Sequence, residues 1–485
     1  MIFTTINFVF FFAVVFCLYW FVFNRNTMLQ NLLLLGASYF FYSFANLKIL
    51  PIFVITSLVF YWLGIVISKS RNKRNRFLYE LAGILFGLGA LLYFKYSNFF
   101  ISSFSELLET MGFNANLHTL KIIVPLGISF YTFRLLSYII DIYRGKYEPA
   151  RDIVGFLTYV AFFPCILSGP IDRPDAMLPQ LAKKRVFDYQ LAVSGMRQIL
   201  WGLFKKAVIA DFCNPLVNNI FNNYGSLTAS SLVIGAVLYA IELYSDFSGY
   251  TDMAVGIGKL LGFRIAKNFN YPYFATSFAD YWKRNHISLT TWFMDYIYYP
   301  LVDKSDKLWY WNLCMIITFI LSGFWHGVGW NFVLWGLYQG IFIVISMNIQ
   351  KSRKRFEKKH NLKNNAVYQW FAILLTFAIV SFGLIFFRAD SLQTSFGYIA
   401  RLFSSSLLSP PNYMGKLETL LLLIFIIPMF IVEWKGRNDD FGIEKLFVGK
   451  NVILRWSFYC VLFLTALYSL SLSDGAAKEF IYFKF

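Results

Sequence analysis

The feature that most constrains this fold is the recurrence of apolar runs about as long as a membrane is thick. A helix needs about 20 mostly apolar residues to cross the hydrocarbon layer, because every backbone polar group must be hydrogen-bonded within the segment. Runs that meet or approach this length fall at 1–23, 28–46, 47–68, 77–94, 120–140, 152–169, 195–221, 230–258, 309–326, 328–350, 366–387, 417–434 and 451–471. Composition agrees, with 58% of the 485 residues hydrophobic and 14% charged, against roughly 45–50% and about 25% in soluble domains. The expected fold class is therefore an all-α integral membrane protein. The first run, "IFTTINFVFFFAVVFCLYWFVF", lacks a basic leader and a small-residue cleavage site, so it reads as a retained span rather than a removed signal peptide.

The formal charge of +18 raises the question of nucleic acid. Location answers it. Five basic residues sit in 69–76 ("KSRNKRNR") and seven in 351–363 ("KSRKRFEKKHNLK"), each between apolar spans. Lys and Arg collect in this way in cytoplasmic loops, so membrane lipid is the expected surrounding and no nucleic acid is expected as a partner. With three runs before the first basic stretch, the N-terminus is expected outside. The seven runs between the two basic stretches are an odd number, whereas two loops on one side require an even number of crossings. Something in the middle does not span. "FFPCILSGPIDRPDAMLPQL" and "LSGFWHGVGW" are the segments where Pro and Gly interrupt apolar runs, and non-helical backbone at membrane depth is tolerated only where protein or a water-filled cavity surrounds it. Re-entrant or half-helices are expected at both.

Residues 259–308 are too polar for one span and too aromatic for an ordinary loop; they read as short amphipathic helices at or within the interface. There is no internal repeat. The expectation is one membrane-embedded domain over 1–485, with N-terminal helices at 1–118, a core at 119–350 and C-terminal helices at 351–485.

The residues able to carry chemistry are few. Cys17, Cys165, Cys213, Cys314 and Cys460 are odd in number, scattered and mostly within apolar runs, which reads as inert thiols. Of the four histidines, His118 lies in a polar connector and His360 in the basic stretch, and both read as solvated. His326 is different, because it sits inside "LSGFWHGVGW". On a continuous helix Ser322, His326 and Trp330 would share one face, beside Gly323 and Gly327, and small residues there let another helix or a substrate chain approach the ring. An imidazole in an apolar setting stays neutral, since desolvation disfavours the charged form, and a neutral ring can take a proton as a general base must. A core histidine satisfied by a backbone carbonyl is the bland alternative. In "ADYWKRNHISLTTW", Asp280 and Arg284 can pair across one helical turn, while Trp282, His286 and Thr290 would share a different face and turn the imidazole inward. An ordinary surface histidine is the alternative here. No metal site is expected: the two histidines are far apart in sequence, no HxxxH or HExxH occurs, and no cysteine accompanies them. Neither a G-x-S-x-G elbow nor a strand-preceded phosphate loop is present.

Taken together, "VPLGISFYTFRLLSYIIDIYRG" (124–145), "FFPCILSGPIDRPDAMLPQL" (162–181), the long segment 244–301 that contains His286, "LSGFWHGVGWNFVLWGLYQG" (321–340) and the closing "FIYFKF" resemble the membrane-bound O-acyltransferase family. The likeness is to its bacterial branch that acetylates exported polysaccharides, typified by the alginate O-acetylation transferase, whose cousin carries D-alanine to teichoic acid. The resemblance implies a ring of about eleven transmembrane helices with short interfacial or re-entrant helices, in a bacterial cytoplasmic membrane. Matched by motif, the family histidine deep in a tunnel is His326 and the second family histidine is His286. The chain departs from the family at Asn285, where Trp is usual, and at "PLVDKSDK" (300–307), where Pro-Leu-Gly-Gly-Asn is usual.

The expected reaction is transfer of an acetyl or other short acyl group from a cytoplasmic thioester, either acetyl-CoA or an acyl-carrier thioester, to hydroxyls of an exported polysaccharide or to a secreted carrier. No bound cofactor is expected. His326 is the expected base, with His286 orienting it or binding donor or acceptor. Ser322, Trp325, Trp282 and Arg284 are the expected substrate contacts, and Trp325 or nearby backbone N–H groups the donors to the developing oxyanion. The expected partners are the acyl donor, the polysaccharide and an extracytoplasmic SGNH-type acetyltransferase or carrier protein. D-alanyl transfer to teichoic acid, a non-catalytic polysaccharide or lipid transporter, and an export scaffold are the alternatives.

Overall fold

Apolar length becomes helix where a polar side chain closes the first turn, because the leading N–H groups of a helix have no partner within it. Asn26 accepts from the N–H groups of Met28 and Leu29, Asn72 from Arg74, Asp152 from Val154 and Gly155, and Asn365 from Tyr368. In the computed structural model, which describes residues 1–44, 46–113, 119–120, 122–472 and 480–481, the secondary structure is entirely helical among the described residues. His118 and the last four residues of "FIYFKF" lie outside the described residues.

Eight helices among the described residues are long and apolar enough to cross a membrane, including Ala229–Leu260, Leu308–His326, Trp330–Asn348 and Ala366–Arg388. This is fewer than eleven, and the reason is local. The run at 120–140 folds as Ile128–Tyr143, the run at 152–169 stops after the nine residues Ile153–Ala161, and the run at 195–221, though helical, carries Arg197, Lys205, Lys206 and Asp211. The run at 77–94 is instead part of a longer helical stretch, Lys73–Thr110.

The chain divides into two compact units, one formed by Met1–Gly195 with Ile257–Ala266 and the other by Met196–Gly256 with Lys267–Phe485. In the first unit, the Tyr19 hydroxyl and the Trp20 indole N–H donate to the carbonyls of Leu261 (3.1 Å) and Leu260 (2.9 Å). The interrupted segment that follows Ala161 is buried, and its carbonyls need donors. Arg134 supplies them: its guanidinium, fully buried, donates to the carbonyls of Tyr159 (3.5 Å), Val160 (3.3 Å), Cys165 (3.2 Å) and Pro170 (3.0 Å). Pro164, Gly169 and Pro170 break this helix as expected, and an arginine fills the break. Arg134→Met is expected to lower the yield and the thermal midpoint of the detergent-solubilised protein sharply, since each carbonyl left without a donor costs about 1–3 kcal/mol. An unchanged midpoint would show that the segment does not depend on the guanidinium.

In the second unit, Leu308–His326 and Trp330–Asn348 form a hairpin of two nineteen-residue helices. A side chain at Gly323 would run into the carbonyl oxygen of Phe332, one at Gly336 into that of Phe319, and one at Gly340 would come within 2.9 Å of the Ile316 Cα. The small residues bring the two helices together, as their positions beside His326 indicate. The half-helices expected here are instead two helices of spanning length joined at Gly327–Gly329. Because the first ends at His326, Trp330 belongs to the next helix, 55% exposed, and does not share a helical face with the imidazole.

Candidate active site

His326 is the last residue of its helix; Gly327 is extended (φ −159°, ψ 163°), so the chain leaves the axis directly after the imidazole. The ring is 4% exposed. His286 arrives by a different route. The expected single helix through 280–290 is two short ones, Phe278–Arg284 and Ile287–Phe293, broken at His286, whose backbone is left-handed (φ 48°, ψ 48°). Trp282, His286 and Thr290 therefore do not share a helical face, although the Asp280–Arg284 pair forms at 2.9 Å. A non-glycine residue in this region is strained and persists only where its surroundings hold it. Asn268 does so: its carbonyl accepts from the Ile287 N–H (2.8 Å), and its Oδ1 accepts from the Ser288 N–H (3.2 Å) and hydroxyl (2.6 Å).

The two imidazoles meet with ring centroids 6.0 Å apart and planes at 62°. Around them stand Trp335 and Phe387, 5.2 and 5.5 Å from the His326 ring, and Phe247, 4.7 Å from the His286 ring. They line a crevice of about 30 Å³, shared with Leu243, Tyr244, Tyr273, Trp282 and Asn285 among others. That is room for about one water, so admitting an acyl group requires the walls to part. Of the expected site residues, His326, His286 and Trp282 line the crevice. Trp325 packs against both imidazoles, 4.9 Å from His326 and 6.2 Å from His286, but is not in the lining. Ser322 is buried one turn before His326, and Arg284 is held by Asp280; neither reaches the crevice.

Burial pushes the His286 imidazole down from its ordinary 6.5 to about 3, so this ring is neutral at any physiological pH and suits hydrogen bonding better than charge stabilisation. Between these two values the unfolded chain binds a proton that the folded one refuses, so folded stability rises with pH across that window and falls as the solution is acidified. The thermal midpoint should drop below about pH 6.5, and His286→Gln should flatten that drop. Parallel curves for the two proteins would show that the imidazole is not the cause.

One wall leads to a feature the sequence reading passed over. The Tyr244 hydroxyl donates to Glu433 (2.9 Å), Glu433 lies 3.6 Å from the Lys205 ammonium, and Lys205 pairs with Asp252 at 2.7 Å. Beside it, Lys206 binds Asp246 (2.6 Å) and Asp211 (3.0 Å). A third chain runs from Arg388 to Asn218 (2.6 Å), Asn214 (3.0 Å) and Glu242 (2.7 Å). The signal was present as charged residues inside apolar runs, which are costly and are kept for a reason. A neutral imidazole beside a second one, in a narrow and largely aromatic crevice, can move a proton to and from a hydroxyl or thiol while excluding water.

Residues 151–387 match the model of the membrane-bound O-acyltransferase (MBOAT) family. The chain is 34% identical to the probable alginate O-acetylase AlgI of Azotobacter vinelandii, over 77% of this chain and 73% of the relative. It is 30% identical to the peptidoglycan O-acetyltransferase of Helicobacter pylori, over 76% and 73% respectively. To the teichoic acid D-alanyltransferase of Bacillus subtilis it is 30% identical over 54% and 68%. Matching along both chains at this identity, together with the eight long apolar helices, establishes that this multi-pass membrane protein belongs to the membrane-bound O-acyltransferase family.

Proposed function

We propose that this chain transfers an acetyl or other short acyl group from a cytoplasmic thioester to hydroxyl groups of an exported cell-envelope polysaccharide, or to a secreted SGNH-type acetyltransferase or carrier protein that passes the group on. The reading is carried by the buried pair of imidazoles in a chain similar, over most of its length, to polymer O-acetylating relatives. In it, the acceptor oxygen attacks the thioester carbonyl carbon while His326 takes the hydroxyl proton. The C–S bond then breaks and the leaving sulfur receives that proton, so the products are an ester and a thiol and no proton is left over. His286, neutral and fixed by its Asn268-clamped backbone, orients the first imidazole or binds a substrate group, and Trp282 contacts substrate from the crevice wall. The basic stretches at 69–76 and 351–363 are placed at the cytoplasmic side of the inner membrane, with the N-terminus outside.

D-alanyl transfer is the second reading, favoured by the similarity to the Bacillus subtilis relative, which extends over a smaller share of this chain. Mass spectrometry of base-released acyl groups from the envelope glycans of a deletion strain separates them. Loss of acetyl supports the proposal, and loss of alanine supports the second reading. Unchanged esters per sugar with altered export would return the transporter and sink both.

A further inference from the structure

One residue of the crevice wall carries a buried donor that no neighbouring acceptor explains. Trp335 lines it, 4% exposed, with its ring 5.2 Å from that of His326 and nearly perpendicular to it (87°). Its indole N–H is buried and has no acceptor among the described residues. The neighbouring Trp282, packed against it at 6.1 Å, donates to the Gln339 Oε1 at 3.3 Å. An indole N–H is a donor only, and burying one without an acceptor costs about 1–3 kcal/mol. A phenylalanine would fill much of the same apolar wall without that cost, as Phe387 does 5.1 Å away. A buried donor of this kind calls for an acceptor that arrives with a ligand.

We propose that Trp335 is a catalytic residue of the acyl transfer: its Nε1–H donates to the thioester carbonyl oxygen as that oxygen becomes negatively charged. The proposal rests on the acyl-transfer reading given above. When the acceptor hydroxyl oxygen bonds to the carbonyl carbon, the π electrons of the C=O move onto its oxygen, and His326 holds the proton from the hydroxyl. Collapse of this intermediate re-forms the C=O, breaks the C–S bond and returns the proton to sulfur. A hydrogen bond to the oxygen is strongest when the charge is on it, so it lowers the barrier more than it tightens binding.

The fold holds this indole in place. Trp335 lies within Trp330–Asn348, whose start is tied down by Asn331 donating to the carbonyls of Phe386 (3.3 Å) and Ala389 (2.8 Å). The next residue, Gly336, is where this helix presses on the backbone of the His326 helix at Phe319. Donor and base are thus carried by the two arms of one close-packed hairpin, which is the preorganisation an oxyanion site requires. Trp325, the donor named from sequence, packs on the imidazoles but does not line the crevice.

The test compares variants expressed in the deletion strain at equal membrane levels, reading the initial rate at which base-labile acyl esters accumulate per sugar. Trp335→Phe should lower that rate by about 10²–10³-fold. Trp335→3-benzothienylalanine, introduced by stop-codon suppression, keeps the bicyclic shape and lacks the N–H, and should be equally slow. A near-normal rate in either protein overturns the proposal, and if Trp335→Phe fails to reach the membrane the benzothienyl protein decides alone. His326→Ala runs in parallel. Activity retained there removes the base assignment while leaving the Trp335 comparison readable, whereas a deletion strain that loses no ester removes both.

Discussion

His326→Ala should reduce ester formation on the envelope polymer to the background of the deletion strain, while the protein still accumulates in the membrane. A hydroxyl is a weak nucleophile until its proton is taken in the transition state, and a positioned base contributes about 10²–10⁴-fold. Loss on that scale is expected, because the crevice offers few substitutes. Besides the His326 ring, its lining supplies His286, Asn285 and three tyrosines, with three phenylalanines, two tryptophans and two leucines making up the rest. The His286 ring centroid is 6.0 Å away and does not occupy the position the first ring leaves. The substitution opens a cavity at a helix end rather than mid-helix, since the chain leaves the axis at Gly327, so membrane abundance is expected to change far less than activity. The measurement is ester content per sugar, normalised to membrane-inserted protein. Wild-type esterification in His326→Ala, at normal abundance, would sink the assignment of this ring as the base.

Lys205→Met should unfold or nearly inactivate the protein although position 205 is not part of the crevice lining. Lys205 is almost fully buried and is the shared cation of two carboxylates, Asp252 at 2.7 Å and Glu433 at 3.6 Å. Removing one partner of a buried pair leaves charge uncompensated and costs about 3–5 kcal/mol, a large part of the total for most folded chains. The effect also reaches the site, because Glu433 holds the Tyr244 hydroxyl and the Lys205 ammonium sits 5.5 Å from the Tyr244 ring centroid. Adding Glu433→Gln to Lys205→Met removes one of the two carboxylates left behind, Asp252 being the other, and keeps an acceptor for Tyr244. The double variant should therefore recover part of the thermal midpoint lost by the single one. If the single variant matches the wild type in midpoint and ester formation, the network has neither the structural nor the positioning role given to it here.

Much of the fold was legible because its determinants are local. Apolar length, caps such as Asn26 and Asp152, and the Pro and Gly residues at 164–170 act on neighbouring backbone, so spans and breaks can be read in order along the chain. The boundaries that failed did so where local preference is weak. Nothing between Trp282 and Thr290 forbids a continuous helix; it is Asn268, brought in from another segment, that holds His286 in a left-handed turn. The turn at Gly327–Gly329 likewise separates Trp330 from His326, because each helix is long enough to complete its own crossing.

By itself the sequence determined that the chain lives in a membrane, that it is helical, and that two of its four histidines sit in segments unlike ordinary spans. Tertiary structure decided the rest: that these two rings meet, that Arg134 fills the broken segment after Ala161, that Lys205 is shared by Asp252 and Glu433, and that Trp335 stands beside the base. The division follows from range. Burial length and capping are settled by residues a few positions apart, whereas a buried charge or donor acquires its meaning from whatever group the packing of distant helices places next to it.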